Sequence, residues 1–139
     1  MSGLFGIFGI TGSGMAAERT RMDVIASNLA NADTTRGPDG QPYKRKEVIL
    51  QATPTNGTSF ADRLAGVQVA GIVDDSSPGK QVYDPGNPDA NAQGYVTLPN
   101  VNPVTEMVDL ITASRGYEAD VQALQSAKSL FTSTIDLLK

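Results

Sequence analysis

The sequence predicts a mainly α-helical fold with a small β insertion. Two observations support this class: each end of the chain carries a long amphipathic segment, and Gly, Pro, Asn and Asp gather between the two segments. The chain is therefore divided into an N-terminal helical segment over residues 1–35, a small β-rich middle over 36–101 and a long C-terminal helix over 102–139. One compact core is not expected from this distribution.

The C-terminal helix is predicted to run from Asn102 to Lys139. Asn102 can accept hydrogen bonds from the free amides of a first turn, and Pro103 loses none at the first helical position. The apolar residues are spaced three and four apart, as in a supercoiled seam: Met107, Leu110, Tyr117, Val121, Leu124, Phe131, Ile135 and Leu138. Small residues form a parallel track: Gly116, Ala119, Ala123 and Ala127.

The length of this helix indicates contacts outside the chain. At about 1.5 Å per residue it would extend roughly 54 Å, more than a domain of 139 residues can cover with its own core. We therefore expect the terminal helices to form a coiled-coil-like bundle with neighbouring subunits. A self-contained bundle or a homo-oligomeric coiled coil is the alternative.

A second amphipathic helix is predicted from about Met15 to Asn31. Its apolar face contains Met15, Met22, Ile25, Leu29 and Ala32. The preceding stretch from Leu4 to Ile10 mixes large apolar residues with glycine, and is either a helical or extended leader that packs in an assembly or a membrane-inserting peptide. It is short and has no positive residue before Arg19, so neither a secretory signal nor a spanning helix is predicted.

The middle of the chain reads as short extended runs separated by turns. The runs are Glu47–Ala52, Val67–Asp74, Gln81–Tyr83 and Tyr95–Leu98. Val67, Val69 and Val73 are predicted to share one strand face. A short β-hairpin or meander between the two helices follows, and a unit this small is only marginally stable alone.

Composition and loop chemistry argue against several functions. The net charge of −4 and the absence of long basic runs leave no footprint for nucleic acid, and the lack of Cys and His removes the usual nucleophiles and zinc ligands. Asn87, Asp89 and Asn91 alternate as in a calcium loop, but Ala92 stands where that loop needs Gly and Leu98 where it needs Glu. This stretch is expected to be a solvated turn.

Paired carboxylates are the remaining route to catalysis. Glycoside hydrolysis would use two of Asp74, Asp75, Asp84 and Asp89. These residues lie among turn residues without an aromatic cleft, so no catalytic, cofactor-binding or metal residue is predicted, and no small-molecule substrate.

Several strings of sequence resemble the axial proteins of the bacterial flagellum, and among them the proximal-rod family of the FlgC type. They are ASNLANADT at residues 26–34, GPDGQPYKR at 37–45, VYDPGNPDA at 82–90, PNVNP at 99–103 and ASRGYEADV at 113–121. Each string is weak alone, but their order along nearly the whole chain is specific. Asn87 stands where the family often has His, and Asp120 where it often has Asn.

The resemblance implies a structural subunit of the periplasmic rod of the flagellar basal body, which transmits motor torque. It implies export through the flagellar type III apparatus without cleavage, and contacts with other copies, other rod proteins, the rod-base adaptor, the membrane ring and the export apparatus. The expected subunit-interface residues are Met15, Met22, Ile25, Asn28, Leu29, Asn31, Met107, Leu110, Tyr117, Val121, Leu124, Phe131, Ile135 and Leu138. The terminal helices are expected to be partly unfolded in the isolated subunit.

A different class of function also fits the two apolar ends. The chain would then be a membrane-active or secretion-associated helical oligomer that inserts the stretch from Leu4 to Ile10. Its acidic balance, and the lack of lysines beside that stretch, argue against attraction to anionic lipid.

Overall fold

A computed structural model describes residues 2–53 and 66–137. Two long helices flank four short strands, which confirms the predicted class. The elements are α1 (Ser2–Ala30), β1 (Lys46–Ala52), β2 (Val67–Asp74), β3 (Gln81–Tyr83), β4 (Tyr95–Thr97) and α2 (Pro103–Asp136).

Helix α1 is continuous from Ser2, so the predicted leader is its first part rather than an extended segment. It stays helical through five glycines, and a glycine in a helix interior costs about 1 kcal/mol relative to alanine. Within the described residues, neither helix is both long and apolar enough to cross a bilayer.

Helix α2 begins as the sequence predicts. The side chain of Asn102 accepts hydrogen bonds from the backbone N–H groups of Val104, at 3.0 Å, and Thr105, at 3.4 Å. Pro103 occupies the first turn, where its missing N–H would have had no partner within the helix. The described helix ends at Asp136.

The two helices pack against each other in antiparallel orientation. Gly14 of α1 lies against Asp120 of α2, Glu18 lies against Gly116, and Asn28 is bonded to Glu106. Positions along α2 therefore fall as positions along α1 rise. The glycines leave room for the carboxylate side chains opposite them.

The buried side of α2 differs from the predicted seam in one of its two series. Leu110, Tyr117, Leu124 and Phe131 are half-buried as part of the seam. In the other predicted series, Met107 is 55% exposed, Ile135 is 42% exposed and Val121 is half-buried. The residues that are buried here instead, Glu106, Ala113 and Ala127, each lie one position before a position of that series. Alanine lets two helix backbones approach closely, which leaves the larger residues on the outer side.

Strands β1 and β2 form an antiparallel two-stranded ribbon, the β1–β2 ribbon. Ile49 pairs with Gly71 and Leu50 pairs with Val69, so Ala70 is an extra residue in β2. A bulge of this kind reverses the alternation of side chains. Val73 therefore lies on the opposite face from Val67 and Val69, and the prediction of one shared face is wrong.

The β1–β2 ribbon lies along α1. At one end the Val67 N–H donates to Ser13 Oγ at 3.0 Å, and at the other end Asn28 bonds to the backbone of Lys46. The face of the ribbon that carries Val48 and Ile72 is turned toward α1, since these residues line clefts together with Val24.

Strands β3 and β4 form a second, separate ribbon rather than the continuation of a meander. Val96 is 2% exposed at its centre, and the rings of Tyr83 and Tyr95 meet edge to face with centroids 5.3 Å apart. Asp89, in the loop between the strands, accepts a 2.7 Å hydrogen bond from Thr35. That bond ties the second ribbon to the segment that follows α1.

Candidate functional site: a buried junction and an open helical face

Asn28 joins the end of α1 to the start of β1. Its side chain is almost fully buried, and its two amide atoms bond to the backbone of one residue: Lys46 N–H donates to Oδ1, and Nδ2 donates to Lys46 O, both at 2.9 Å. The side chain thus pairs with β1 as a neighbouring strand would. Tyr43 Oη adds a third contact by donating to Oδ1 at 2.9 Å.

Glu106 joins the first turns of α2 to the same place. Its exposed fraction is 0%, which is rare for a carboxylate unless it is paired. Oε2 accepts from Asn28 Nδ2 at 3.0 Å and Oε1 accepts from Arg45 Nε at 2.5 Å. The helix N-terminus also favours a negative charge at this position. We call Asn28, Tyr43, Arg45, Lys46 and Glu106 the junction.

Arg45 is the cation of the junction and has more than one acidic neighbour. Besides Glu106, it forms an ion pair with Glu47 and lies 4.0 Å from Asp75 and 3.9 Å from Asp109. Burial alone would lower the pKa of Arg45, but its hydrogen bonds to Glu106 and Glu47 outweigh that effect and raise the pKa. The guanidinium therefore stays charged under all physiological conditions.

The backbone of Arg45 is held as firmly as its side chain. Its N–H donates to Asn100 Oδ1 at 2.8 Å, and its carbonyl accepts from Asp75 N–H at 2.7 Å. Ser77 donates hydrogen bonds to the Asp75 carboxylate and, with Arg45 nearby, lowers the pKa of Asp75. The start of α2, the β1–β2 ribbon and Asn100, which follows β4, consequently meet around one arginine, and Glu106 links them to Asn28 near the end of α1.

Of the acidic residues considered for chemistry, Asp75 and Asp89 are held by contacts within the chain. Asp89 accepts from Thr35 and lies 3.5 Å from Arg36, while Asn87 and Asn91 accept hydrogen bonds from nearby backbone N–H groups. Within residues 2–53 and 66–137, no group of three metal-ligating side chains is present. The local geometry is that of closed turns.

The structure distributes the predicted interface residues over three environments. Ile25 and Asn28 are buried inside the subunit, so their side chains are not part of its free surface. Half-buried positions are Met15, Met22, Leu29, Asn31, Leu110, Tyr117, Val121, Leu124 and Phe131, and exposed positions are Met107 and Ile135. Leu138 lies outside the described residues. Contacts of these residues with neighbours remain predictions.

Sequence reasoning missed two parts of the site. Glu106 and Arg45 were not selected as site residues, although a lone acid beside the capping Asn102 at the start of an apolar helix was a usable signal. The other part is a cluster on the outer side of α2 comprising Val104, Met107, Val108 and Ile111, each more than half exposed. Their i, i+3, i+4, i+7 spacing was visible, but it ran beside the predicted seam.

Comparison with known proteins gives consistent matches at both ends of the chain. Residues 10–38 match the family described as flagella basal body rod protein, and residues 92–137 match the C-terminal family of the flagellar basal body rod FlgEFG proteins. The two matched segments include Asn28 and Glu106, the two sides of the buried junction. These matches, which cover much of both helices, identify the class as flagellar basal-body rod proteins.

Curated relatives extend the match over nearly the whole chain. The flagellar basal-body rod protein FlgC of Salmonella typhimurium is 47% identical over 96% of this chain and 97% of its own length. The FlgC proteins of Borreliella burgdorferi and Bacillus subtilis are 44% and 43% identical, covering 99% and 94% of this chain and 99% and 95% of their own lengths. The chain belongs to the FlgC family of flagellar basal-body rod proteins.

Proposed function

We propose that this chain is a structural subunit of the proximal rod of the flagellar basal body. The observation that carries the proposal is the near full-length identity with FlgC proteins. A physical feature supports it: α1 covers one side of α2, and the opposite side exposes apolar residues that water does not favour. Such a surface suits a subunit that is completed by its neighbours.

The proposed mechanism is transmission of torque through shared helical interfaces. The helix pair forms the assembling part, and the junction fixes the β1–β2 ribbon to it, so that a load on one part is passed to the other. Buried and satisfied polar contacts such as Asn28 to Glu106 favour one arrangement over alternatives. No catalytic step is assigned to the chain in this role.

The proposed partners are other copies of the chain, other rod proteins, the rod-base adaptor, the membrane ring and the export apparatus. The proposed location is the periplasmic part of the basal body, reached through the flagellar type III apparatus without cleavage. These contacts are expected at half-buried or exposed positions of the two helices, such as Met22 on α1 and Met107 on α2.

The test is mass spectrometry of detergent-washed basal bodies, together with motility of a strain that lacks the gene. We expect several copies of the chain in each basal body, intact at its N-terminus, and loss of rod assembly and motility on deletion. Re-expression of the chain from a plasmid is the control. Intact basal bodies that do not contain the chain would exclude the rod role.

A further inference from the structure

Two open surfaces with exposed apolar residues lie on opposite sides of the subunit. The first is the outer side of α2, the α2 patch, which consists of Val104, Met107, Val108 and Ile111. The second is a groove between α1 and β2 with a volume of about 390 Å³, the α1–β2 groove. Its lining is mixed: Val24 and Ile72 are apolar, Thr20 and Ser27 are polar, and Asp23, Asp74 and Lys46 are charged.

These surfaces cannot meet within one chain. At about 100° per residue, the α2 patch lies on the side of α2 opposite Glu106 and Ala113, which are buried against α1. Thr20 and Asp23 lie on the side of α1 opposite Glu18, which contacts α2 at Gly116. The order across the subunit is thus patch, α2, α1 and groove.

The shapes of the two surfaces are complementary. The α2 patch is a helix face with apolar residues at i, i+3, i+4 and i+7, which is the spacing that fits an apolar groove. Ile72, in the groove, is 50% exposed. Val69, on the same face of the ribbon, is 37% exposed, because one helix does not cover the whole ribbon.

Their charges are complementary as well. Arg115 follows Ile111 by one turn on the same face of α2, and it is exposed. Within the described residues, Arg115, Asp23 and Asp74 take part in no ion pair. The groove carries two carboxylates and one cation, Lys46, so its net charge is negative and complements the arginine beside the patch.

The area of the contact fits a polymer better than an isolated dimer. The α2 patch exposes on the order of 400 Å², within the range of functional patches. A stable two-protein interface buries about 800 Å² on each partner, roughly twice as much. A contact between two different surfaces also leaves one of each surface free after two copies have joined, so further subunits can be added.

We infer that the α1–β2 groove of one copy binds the α2 patch of a second copy. This inference rests on the proposed function and specifies one contact between copies within the assembly. It assigns Val108 and Ile111 as the inserted side chains, and Arg115 as the residue that pairs with Asp23, since Asp74 has Lys46 as its cross-strand neighbour.

Disulfide trapping tests the contact, since the chain has no cysteine of its own. Two full-length variants, V108C and T20C, are mixed under mild oxidation at high concentration, and Q122C replaces V108C as the control on the same face of α2. We expect a V108C–T20C disulfide dimer at least tenfold faster than the Q122C–T20C dimer or the V108C homodimer. Comparable rates, or no V108C–T20C dimer, would overturn the inference.

A charge exchange tests which charged residues meet in the contact. R115E in the V108C chain, or D23K in the T20C chain, is expected to slow trapping about tenfold, and mixing the two reversed chains is expected to restore it. Thermal unfolding of each variant confirms that the fold is kept. Failure of the exchange to restore trapping, with both variants folded, contradicts the assigned pairing.

The same cysteines in basal bodies separate this inference from the proposed function. If V108C is cross-linked to a second copy through T20C, the inference is supported. If V108C is cross-linked only to a different rod protein, the rod role stands and the second copy is the wrong occupant. If the chain is absent from basal bodies, the rod role fails while the trapping result in solution still decides the contact.

Discussion

Asn28 and Glu106 form a hydrogen bond of 3.0 Å although 78 positions separate them in the chain. Neither residue is accessible to water, so the bond closes the helix pair from inside. Asn28 also pairs with the backbone of Lys46, and Glu106 pairs with Arg45. One contact thus joins the two ends of the sequence to each other and to the ribbon between them.

Removal of the Glu106 carboxylate is expected to destabilise the fold. E106A leaves Arg45 and the Asn28 amide without their buried partner, and we expect the free energy of unfolding to fall by about 2–3 kcal/mol. The value is below that of a fully buried pair because Arg45 keeps Glu47 and some exposure to water. Urea unfolding measures it, with E118A, at an exposed position of α2, as the control. Equal losses for both variants would argue against the buried pair.

Asn28 is expected to tolerate no acidic replacement. In N28D the carboxylate cannot donate to Lys46 O or to Glu106, and it places a second negative charge beside Oε2 of Glu106. We expect a loss of more than about 2 kcal/mol in the free energy of unfolding, partly recovered at low pH as the new acid is protonated. N31D, in the same sequence motif but half-buried, serves as the control. A similar loss in both variants would indicate a general effect of the helix end.

Gly79 is expected to be far more sensitive than Gly71. A Cβ at Gly79 would collide with the backbone oxygen of Leu98, which cannot move without opening the second ribbon. A Cβ at Gly71 meets nothing within 4 Å. We expect G79A to lower the free energy of unfolding by about 1–3 kcal/mol and G71A to leave it nearly unchanged. Thermal and urea unfolding compare them, and equal behaviour of the two variants would contradict the close approach.

Acid stability is expected to depend on Asp75. Its pKa is lowered in the folded chain, so its contribution is fully present above the ordinary value of about 4 and is lost as the pH falls through the folded value. The contribution of Arg45, whose pKa is raised, is present across the acid and neutral range and is lost only in strongly alkaline solution. D75N should therefore flatten the acid side of a plot of melting temperature against pH.

The control for this measurement is D33N, which changes an exposed carboxylate. We expect its acid profile to follow that of the unaltered chain. An acid profile of D75N that coincides with both would show that the Ser77 hydrogen bonds do not hold the charged form of Asp75.

Local signals predicted the elements well because they act within a few residues. Asn102 and Pro103 specify a helix start by their own hydrogen-bonding capacity, and the extended run from Val67 to Asp74 became β2 with the predicted limits. The predicted motif at residues 26–34 contains Asn28. Its partner could not be read from that motif, because the contact depends on how the helices dock.

Tertiary docking decided the features that the sequence did not predict. The burial of Ala113 and Ala127 in place of larger neighbours follows from the close approach of α1, and the bulge at Ala70 follows from the pairing with β1. Arg45 appeared only as the last residue of the string GPDGQPYKR, and the fold brings four carboxylates around it. Periodicity carries no information on these relationships.

Among the described residues, the buried polar contact that fastens the antiparallel helix pair lies at one end, where Asn28 meets Glu106. Toward Ser2 and Asp136, no comparable buried hydrogen bond joins the two helices among the described residues. Thermal fraying should therefore start at that end and proceed toward the junction. Amide hydrogen exchange of the isolated subunit should then show protection that rises steadily toward the junction. A growing shaft would thus receive each subunit with one end already set and the other still able to adjust to its neighbours.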